Sequence, residues 1–338
     1  MSFLDKIFDI KDEKEITGLT PELKSLYIYQ KFKKENKSIL FVTSNLNDAS
    51  NIYNSLSHYT DKVWFFPMDD FLTSEAIAIS PEFKTTRLET INNILKEDKQ
   101  IVVTNLMGYL RYLPEKQIFK NSYIKIEKDK DYPLKELEEK LFDIGYKKET
   151  TVTMTGEMAP RGFVIDIFPV NVEEPVRLEF WSDTVDTIKT FDINSQRTTK
   201  EIDEITIFPN TEKIIKNSFD IPYRDMPKHI KTTNISGYMD HVTIYDNLID
   251  IKNNYKELKE EIKNYNISSE REKNTKYMFD LEEIFEKDSI IFEMFDNIKD
   301  AKSYNTYQIE PFPKNPKGIN ERLNFYLKKQ KKSNNLSR

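Results

Sequence analysis

The segment Gly18-Leu19-Thr20-Pro21-Glu22-Leu23-Lys24-Ser25 matches a phosphate-binding loop, G-x-x-x-x-G-K-[ST], at every fixed position but one. In such a loop successive backbone N–H groups wrap the phosphates, the lysine reaches their outer oxygens and the hydroxyl holds magnesium. Leu23 stands where glycine is required, and its side chain fills the space an anion would need. Pro21 removes one donor and Glu22 adds a repelling charge. The same letters suit a helix start, with Thr20 as N-cap and Pro21 at the first helical position. Gly18, Leu23, Lys24 and Ser25 are therefore read as a degenerate nucleotide site turned into an ordinary helix. Asp246-Asn247, closing the apolar run from His241, stands where an ATPase would hold magnesium with Asp-Glu. Acidic strand ends are common, and without a working phosphate loop a turn after a buried strand is the simpler account. His58, His229 and His241 lack ligand-spaced partners and the chain has no cysteine. Zinc sites, hydrolytic triads, thiol chemistry and disulfides are thus excluded, and no catalytic residue, metal or cofactor is expected.

The second kind of chemistry is recognition. Val176-Arg177-Leu178-Glu179-Phe180-Trp181 alternates strictly, so period two puts Val176, Leu178 and Phe180 on one face and Arg177, Glu179 and Trp181 on the other. A solvated face ordinarily carries Lys, Glu and Thr. Arg beside Trp is the pairing enriched at the energetic centres of protein interfaces. The competing account is that Trp181 packs under a neighbouring loop.

The elements that must position these residues follow from periodicity. Strands are expected at Ser38–Thr43, Lys62–Phe66 and Gln100–Thr104, alternating with a helix that turns Ala49, Ile52, Tyr53 and Leu56 inward and one that opens at Ser80-Pro81 and buries Leu88, Ile91 and Leu95. Alternation of this kind predicts a parallel α/β sheet. A mixed-charge crossing at Lys125–Lys130 marks a boundary, followed by a helix over Tyr132–Ile144 stopped by Gly145. Strands Phe163–Phe168 and Val176–Trp181 then form a small antiparallel sheet, and Ile205–Pro209 leads back to the first domain. Further expectations are an amphipathic helix from Phe3, Leu4, Ile7 and Phe8, helices over Tyr255–Tyr265 and Lys273–Phe285, a strand from Ser289 to Phe292 and a basic helix over Asn320–Lys331. The boundaries drawn are 1–122 for the first part of the α/β domain, 123–209 for an inserted helix-on-sheet domain, and 210–338 for the rest of the α/β domain with a C-terminal segment.

Gly156-Glu157-Met158, Arg161-Gly162, Asp166-Ile167-Phe168-Pro169, Arg177-Leu178-Glu179-Phe180, Asp183, Phe191-Asp192 and Gln196-Arg197 together resemble, in order, the UvrB-like amino-terminal module of the bacterial transcription-repair coupling factors (Mfd). The resemblance extends upstream through Phe66-Pro67, Ser80-Pro81-Glu82, Arg87-Leu88 and Val102-Val103-Thr104 and thins after Pro209. It implies a degenerate helicase-like α/β domain, akin to the P-loop NTPases, that carries an inserted UvrA-binding domain. The implied function is non-catalytic: recruiting the excision-repair protein UvrA to stalled RNA polymerase. Full-length members also act on double-stranded DNA as ATP-dependent translocases. Partner contacts carried over on matching positions are Arg161, Arg177, Glu179 and Trp181, with Asp183 at the rim. Trp181 departs from the Phe or Tyr more often found there, and Met158 and Pro160 depart in the preceding turn. Two alternatives are an active helicase or translocase domain, which requires Leu23 not to matter, and a UvrB-like binder of damaged DNA. The dozen or so residues between Phe66 and Ser80, with Phe71 their sole aromatic, leave no room for the tyrosine-rich clamp of UvrB.

Composition agrees with a protein-binding role. The 338 residues carry a net charge of −6, which disfavours unspecific nucleic-acid binding. The start of the chain lacks the layout of a signal peptide and no apolar run reaches membrane-span length, so a cytoplasmic protein without membrane attachment is expected.

Overall fold

The computed structural model describes residues 8, 10, 13–69, 80–96, 99–216, 221–271, 275–293, 301–304, 306, 318–321 and 323–325. The first part of the chain forms β1 (Glu15–Thr17), α1 (Pro21–Lys34), β2 (Ser38–Thr43), α2 (Leu46–Ser57), β3 (Val63–Phe66), α3 (Pro81–Lys96), β4 (Ile101–Asn105) and β5 (Leu113–Pro114). A second group follows: β6 (Ile124–Glu127), α4 (Leu134–Asp143), β7 (Lys147–Lys148), β8 (Glu157–Arg161), β9 (Val164–Ile167), β10 (Val176–Trp181), β11 (Thr184–Phe191), β12 (Thr198–Ile202) and β13 (Glu204–Ile207). The chain then adds β14 (Thr232–Thr233), β15 (His241–Asp246), α5 (Leu248–Ser268), α6 (Leu281–Ile284), β16 (Ile290–Glu293) and β17 (Lys302–Ser303).

Among the described residues, a seven-stranded sheet runs in the order β17-β1-β16-β15-β2-β4-β3, with every pairing parallel. The strands β2 and β4 are buried along their whole length, as a sheet covered on both faces demands. One face carries α1 and α2 through Ile28, Phe32, Ala49, Ile52 and Leu56. The other carries α3 and α5 through Leu88, Ile91, Ile251 and Tyr255. The mixed α/β class expected from the sequence is met.

A second sheet, ordered β12-β11-β10-β9-β8-β7, holds the residues of the recognition motif. It is mixed rather than wholly antiparallel, because the two-residue edge strand β7 pairs parallel with β8. Helix α4 covers one face, burying Leu137 and Leu141 against Ile165, Ile167, Val176, Leu178 and Phe180. The segments entering and leaving this unit, β6 and β13, pair antiparallel with Glu204 opposite Glu127 and Ile207 opposite Ile124.

Several expected elements change. The helix expected at Tyr255–Tyr265 is the middle of the longer α5, which starts because Asn247, in the left-handed region at φ 55°, turns its side chain onto the Asp250 N–H. Of the helix expected at Lys273–Phe285, residues 273 and 274 lie outside the described residues and the rest gives only α6, opened by a capping box between Asp280 and Glu283, while Tyr277 and Met278 before it are buried in irregular backbone. Pro133 delays α4 to Leu134, and Gly145 at φ +93° follows its end. Thr20 does occupy the N-cap of α1, but its side chain makes no cap bond. Phe3, Leu4, Ile7, Phe71 and the residues of the expected basic helix beyond Phe325 lie outside the described residues; Phe8 is buried edge-on against Tyr27 and Tyr304.

Candidate functional site

Strand β9 sits between β8 and β10, and the register sets Arg177 opposite Asp166. The Asp166 side chain is fully buried. It accepts hydrogen bonds from Arg177 Nε at 2.7 Å and Nη2 at 2.9 Å, and a further one from Arg161 Nη2. Two guanidinium groups thus converge on one carboxylate, which fixes their planes relative to each other. Arg177 also lies over the Phe191 ring at 4.7 Å. The bond to Asp166, more than burial opposes it, raises the Arg177 guanidinium pKa further above its ordinary value. Along the same face Glu179 Oε2 accepts from Lys189 Nζ at 2.7 Å and from Thr187 Oγ1 at 2.6 Å. The Lys189 bond, followed by that of Thr187, holds the Glu179 carboxyl below its usual range. Arg177 faces Lys189 and Glu179 faces Thr187 across β10 and β11. The result is a lattice of alternating charge, rigid because each member is held by at least one neighbour.

Trp181 ends β10 in a tight hairpin through Ser182, which takes φ +57°, and Asp183. It is 82% exposed, the largest exposure of any big apolar side chain described. Among the described residues no segment covers it, so the account in which it packs under a loop is not met. Asp183 is exposed, its backbone carbonyl accepting from Tyr132 N at 2.7 Å. Phe163, 60% exposed, follows the Gly162 turn and its carbonyl accepts from Phe180 N at 2.8 Å, which sets it at the same end of the sheet as Trp181. The structure thus joins Arg161, Arg177 and Glu179 on one face, with Trp181 and Asp183 at its tip. Asp166, Lys189 and Thr187 belong to the same surface and were missed by the sequence reading. The alternation of Ile165 and Ile167 about Asp166 carried that signal for one of them: two inward apolar residues force the aspartate onto the face of Arg177.

At the other candidate, β1 leads through Gly18 directly into α1, the strand–loop–helix order of a phosphate loop. The loop is closed. Lys24 N donates to the Thr20 carbonyl at 2.9 Å, so the helix uses a donor that a phosphate would require. Gly18 takes φ +74°, and a Cβ there would lie 2.1 Å from the Tyr304 carbonyl oxygen. The segment after β17 covers the loop, with Tyr304 N donating to Thr17 O at 2.9 Å and the Thr306 hydroxyl donating to Gly18 O. Leu23 packs with the apolar core under α1, and Ser25 is buried with no hydrogen-bond partner for its hydroxyl among the described residues. Lys24 Nζ meets Asp246 Oδ1 at 2.5 Å. Burial raises the Asp246 carboxyl above its ordinary value despite the opposing pull of Lys24. Lys24 in α1 and Asp246 at the end of β15 are thus paired with each other.

A third charged cluster joins the two units. Glu212, just past β13, accepts from Arg87 Nε at 2.6 Å and from Arg111 Nη2 at 2.7 Å, all three side chains being buried. Burial alone would raise the Glu212 carboxyl, but Arg111 and Arg87 overrule it and hold it at about 2. His241 is held through Nε2 by Glu286 at 3.0 Å and through Nδ1 by the Met239 carbonyl at 2.9 Å, and His58 and His229 are exposed. Among the described residues no cluster of His, Asp and Glu could hold a metal ion, and no helix is long and apolar enough to cross a membrane.

Residues 124–212 match the UvrB interaction domain. Over 311 residues the chain is 27% identical to the transcription-repair-coupling factor of Staphylococcus haemolyticus, covering 89% of this chain and 26% of that protein. The corresponding factor of Staphylococcus aureus is 26% identical over 309 residues, covering 89% and 26%. That of Staphylococcus epidermidis is 30% identical over 214 residues, covering 63% and 18%. The chain spans about a quarter or less of the length of these curated relatives. The resemblance to the amino-terminal module of the transcription-repair coupling factors, including its UvrB interaction domain, is met over most of the chain.

Proposed function

We propose that this chain is a non-catalytic recruiting module of transcription-coupled DNA repair, and that the β8–β9–β10–β11 face of residues 124–212 binds UvrA. The observation that carries the reading is Trp181: a fully presented aromatic beside two arginines already fixed by Asp166. Ordering long side chains on binding costs about 0.5–1.5 kcal/mol each, and here that ordering precedes the encounter. Trp181 is the anchor, Arg161 supplies donors to a partner carboxylate, and Arg177 with Glu179 fixes their frame. Arg177 differs from its expected role in this respect, since its Nε edge is already given to Asp166.

On this reading the α/β body descends from a helicase-like nucleotide-binding fold whose site is out of use, and the protein acts in the cytoplasm. Stalled RNA polymerase and double-stranded DNA are partners of the longer coupling factors and are not assigned to these residues. The test is a calorimetric titration of UvrA into this chain and into its Trp181→Ala and Arg161→Ala variants. Binding that weakens in both variants supports the face as the contact. Equal affinity in all three chains rejects it.

A further inference from the structure

Helix α5 places Lys252, Lys256 and Lys259 at successive i, i+4 and i+7 spacing, so they form one stripe along one side of the helix. That stripe borders a groove of about 720 Å³ between α5 and the segment that includes α6, with Lys287 on the opposite bank. The volume falls within the roughly 300–1,000 Å³ of ordinary ligand sites. The floor is apolar, made by Tyr255, Leu281 and Phe285. In a chain of net charge −6 this is a local reversal of sign.

The lysines are not equivalent. Lys259 is paired with Asp280 at 2.8 Å. Lys252, Lys256 and Lys287 are exposed and meet no carboxylate among the described residues. Lys252 extends over the Phe285 ring, with its Nζ 5.9 Å from the centroid. Towards the other end Glu260 and Glu282 join the lining, and the Tyr255 hydroxyl donates to Asp280 and Glu282. The groove is therefore polarised: cationic where Lys252, Lys256 and Lys287 stand, apolar in the middle, acidic beyond.

We propose that this groove docks a short segment of a partner protein in which acidic residues flank two or three apolar side chains. The acidic residues would meet Lys252, Lys256 and Lys287, and the apolar side chains would pack on Phe285, the half-buried residue of the floor. Two observations disfavour a nucleic acid. Phe285 is stacked on Tyr245 with centroids 4.9 Å apart, so one ring face is taken and no run of aromatic faces is offered to successive bases. Glu260 and Glu282 interrupt the continuous positive track that a phosphate backbone needs. The site is distinct from the face containing Trp181, and its failure leaves the UvrA reading untouched.

The probe is a short fluorescein-labelled peptide that alternates Glu-Glu with Leu-Phe, titrated by anisotropy against the full chain. Polyglutamate and single-stranded DNA of equal charge are the comparators. The expected result is saturable binding of the peptide, weakened at least about tenfold by Lys252→Glu/Lys256→Glu and retained in Lys252→Arg/Lys256→Arg. Both substituted lysines are exposed, so both variants should melt with the parent chain. Absence of peptide binding, unchanged affinity in the charge-reversed variant, equal affinity for polyglutamate, or tighter binding of DNA would each overturn the proposal.

Discussion

Charged side chains meet at close range both at the closed loop after β1 and on the open face of the inserted sheet, and the two outcomes are opposite. At the loop, Lys24 and Asp246 are largely buried and face each other. On the sheet, Asp166 is fully buried but is covered by two arginines, one of which stays 46% exposed, and an aromatic projects from the same strand pair. Residue types alone do not separate these cases, since each pairs a cation with an aspartate. What separates them is whether the pair terminates inside the fold or holds something at its surface. A buried pair that terminates inside is structure; a buried acid that aims exposed cations is the base of a recognition surface.

The sharpest way to test that distinction is to break a pair that lies wholly inside. Glu212→Ala leaves Arg87 and Arg111 buried without compensation and should cost about 3–5 kcal/mol in urea unfolding. The Glu212 carboxyl is held at about 2, below its unfolded value, so its contribution is complete above the unfolded pKa and is lost as pH falls from there towards 2. Acid unfolding followed by circular dichroism should begin at higher pH in Arg111→Met, where one restraining charge is gone. On the surface the expectation reverses: Trp181→Ala should lose about 2 kcal/mol or more of UvrA affinity, while its unfolding free energy stays within about 0.5 kcal/mol of the parent. Equal losses of binding and stability would erase the contrast between the two regions.

Lys24→Met tests the closed loop itself. It strands a nearly buried carboxyl and should cost about 1–3 kcal/mol. Magnesium–ATP should leave the melting temperature of both chains unchanged, because a ligand stabilises only what it binds. A rise with nucleotide in the parent chain would make the loop a working site. The smallest effects are expected at the caps. Asn45→Ala should cost about 1 kcal/mol because its side chain accepts from the Asp48 N–H, whereas Thr20→Ala should be near neutral because its hydroxyl caps nothing.

The sequence made the two faces of β10 legible, since alternation needs no partner to be read: Val176, Leu178 and Phe180 point inward and Arg177, Glu179 and Trp181 outward, as found. It also made the start of α1 legible, because Thr20 and Pro21 are local facts. The contacts that give these residues meaning were not. Asp166 meets Arg177 through strand register, and Lys189 meets Glu179 through a hairpin, neither of which periodicity specifies. Arg87 and Arg111 lie 125 and 101 residues from Glu212, a pairing only the closed fold creates. The helix expected at Lys273–Phe285 failed for a related reason: tertiary burial of Tyr277 and Met278 outweighed local helix preference.

The antiparallel pairing of β6 with β13 has a further consequence. It brings the entry and exit of the inserted unit side by side, about 5 Å apart as antiparallel neighbours are. To the parallel sheet, the whole of residues 128–203 is thus topologically no more than a wide loop with its ends already joined, and lengthening a loop whose ends are already close costs little closure entropy. Such a neck makes the unit a cassette: a short turn between Glu127 and Glu204 should leave the body able to fold, and the same two strands should serve as the splice points for carrying the Trp181 face onto another scaffold.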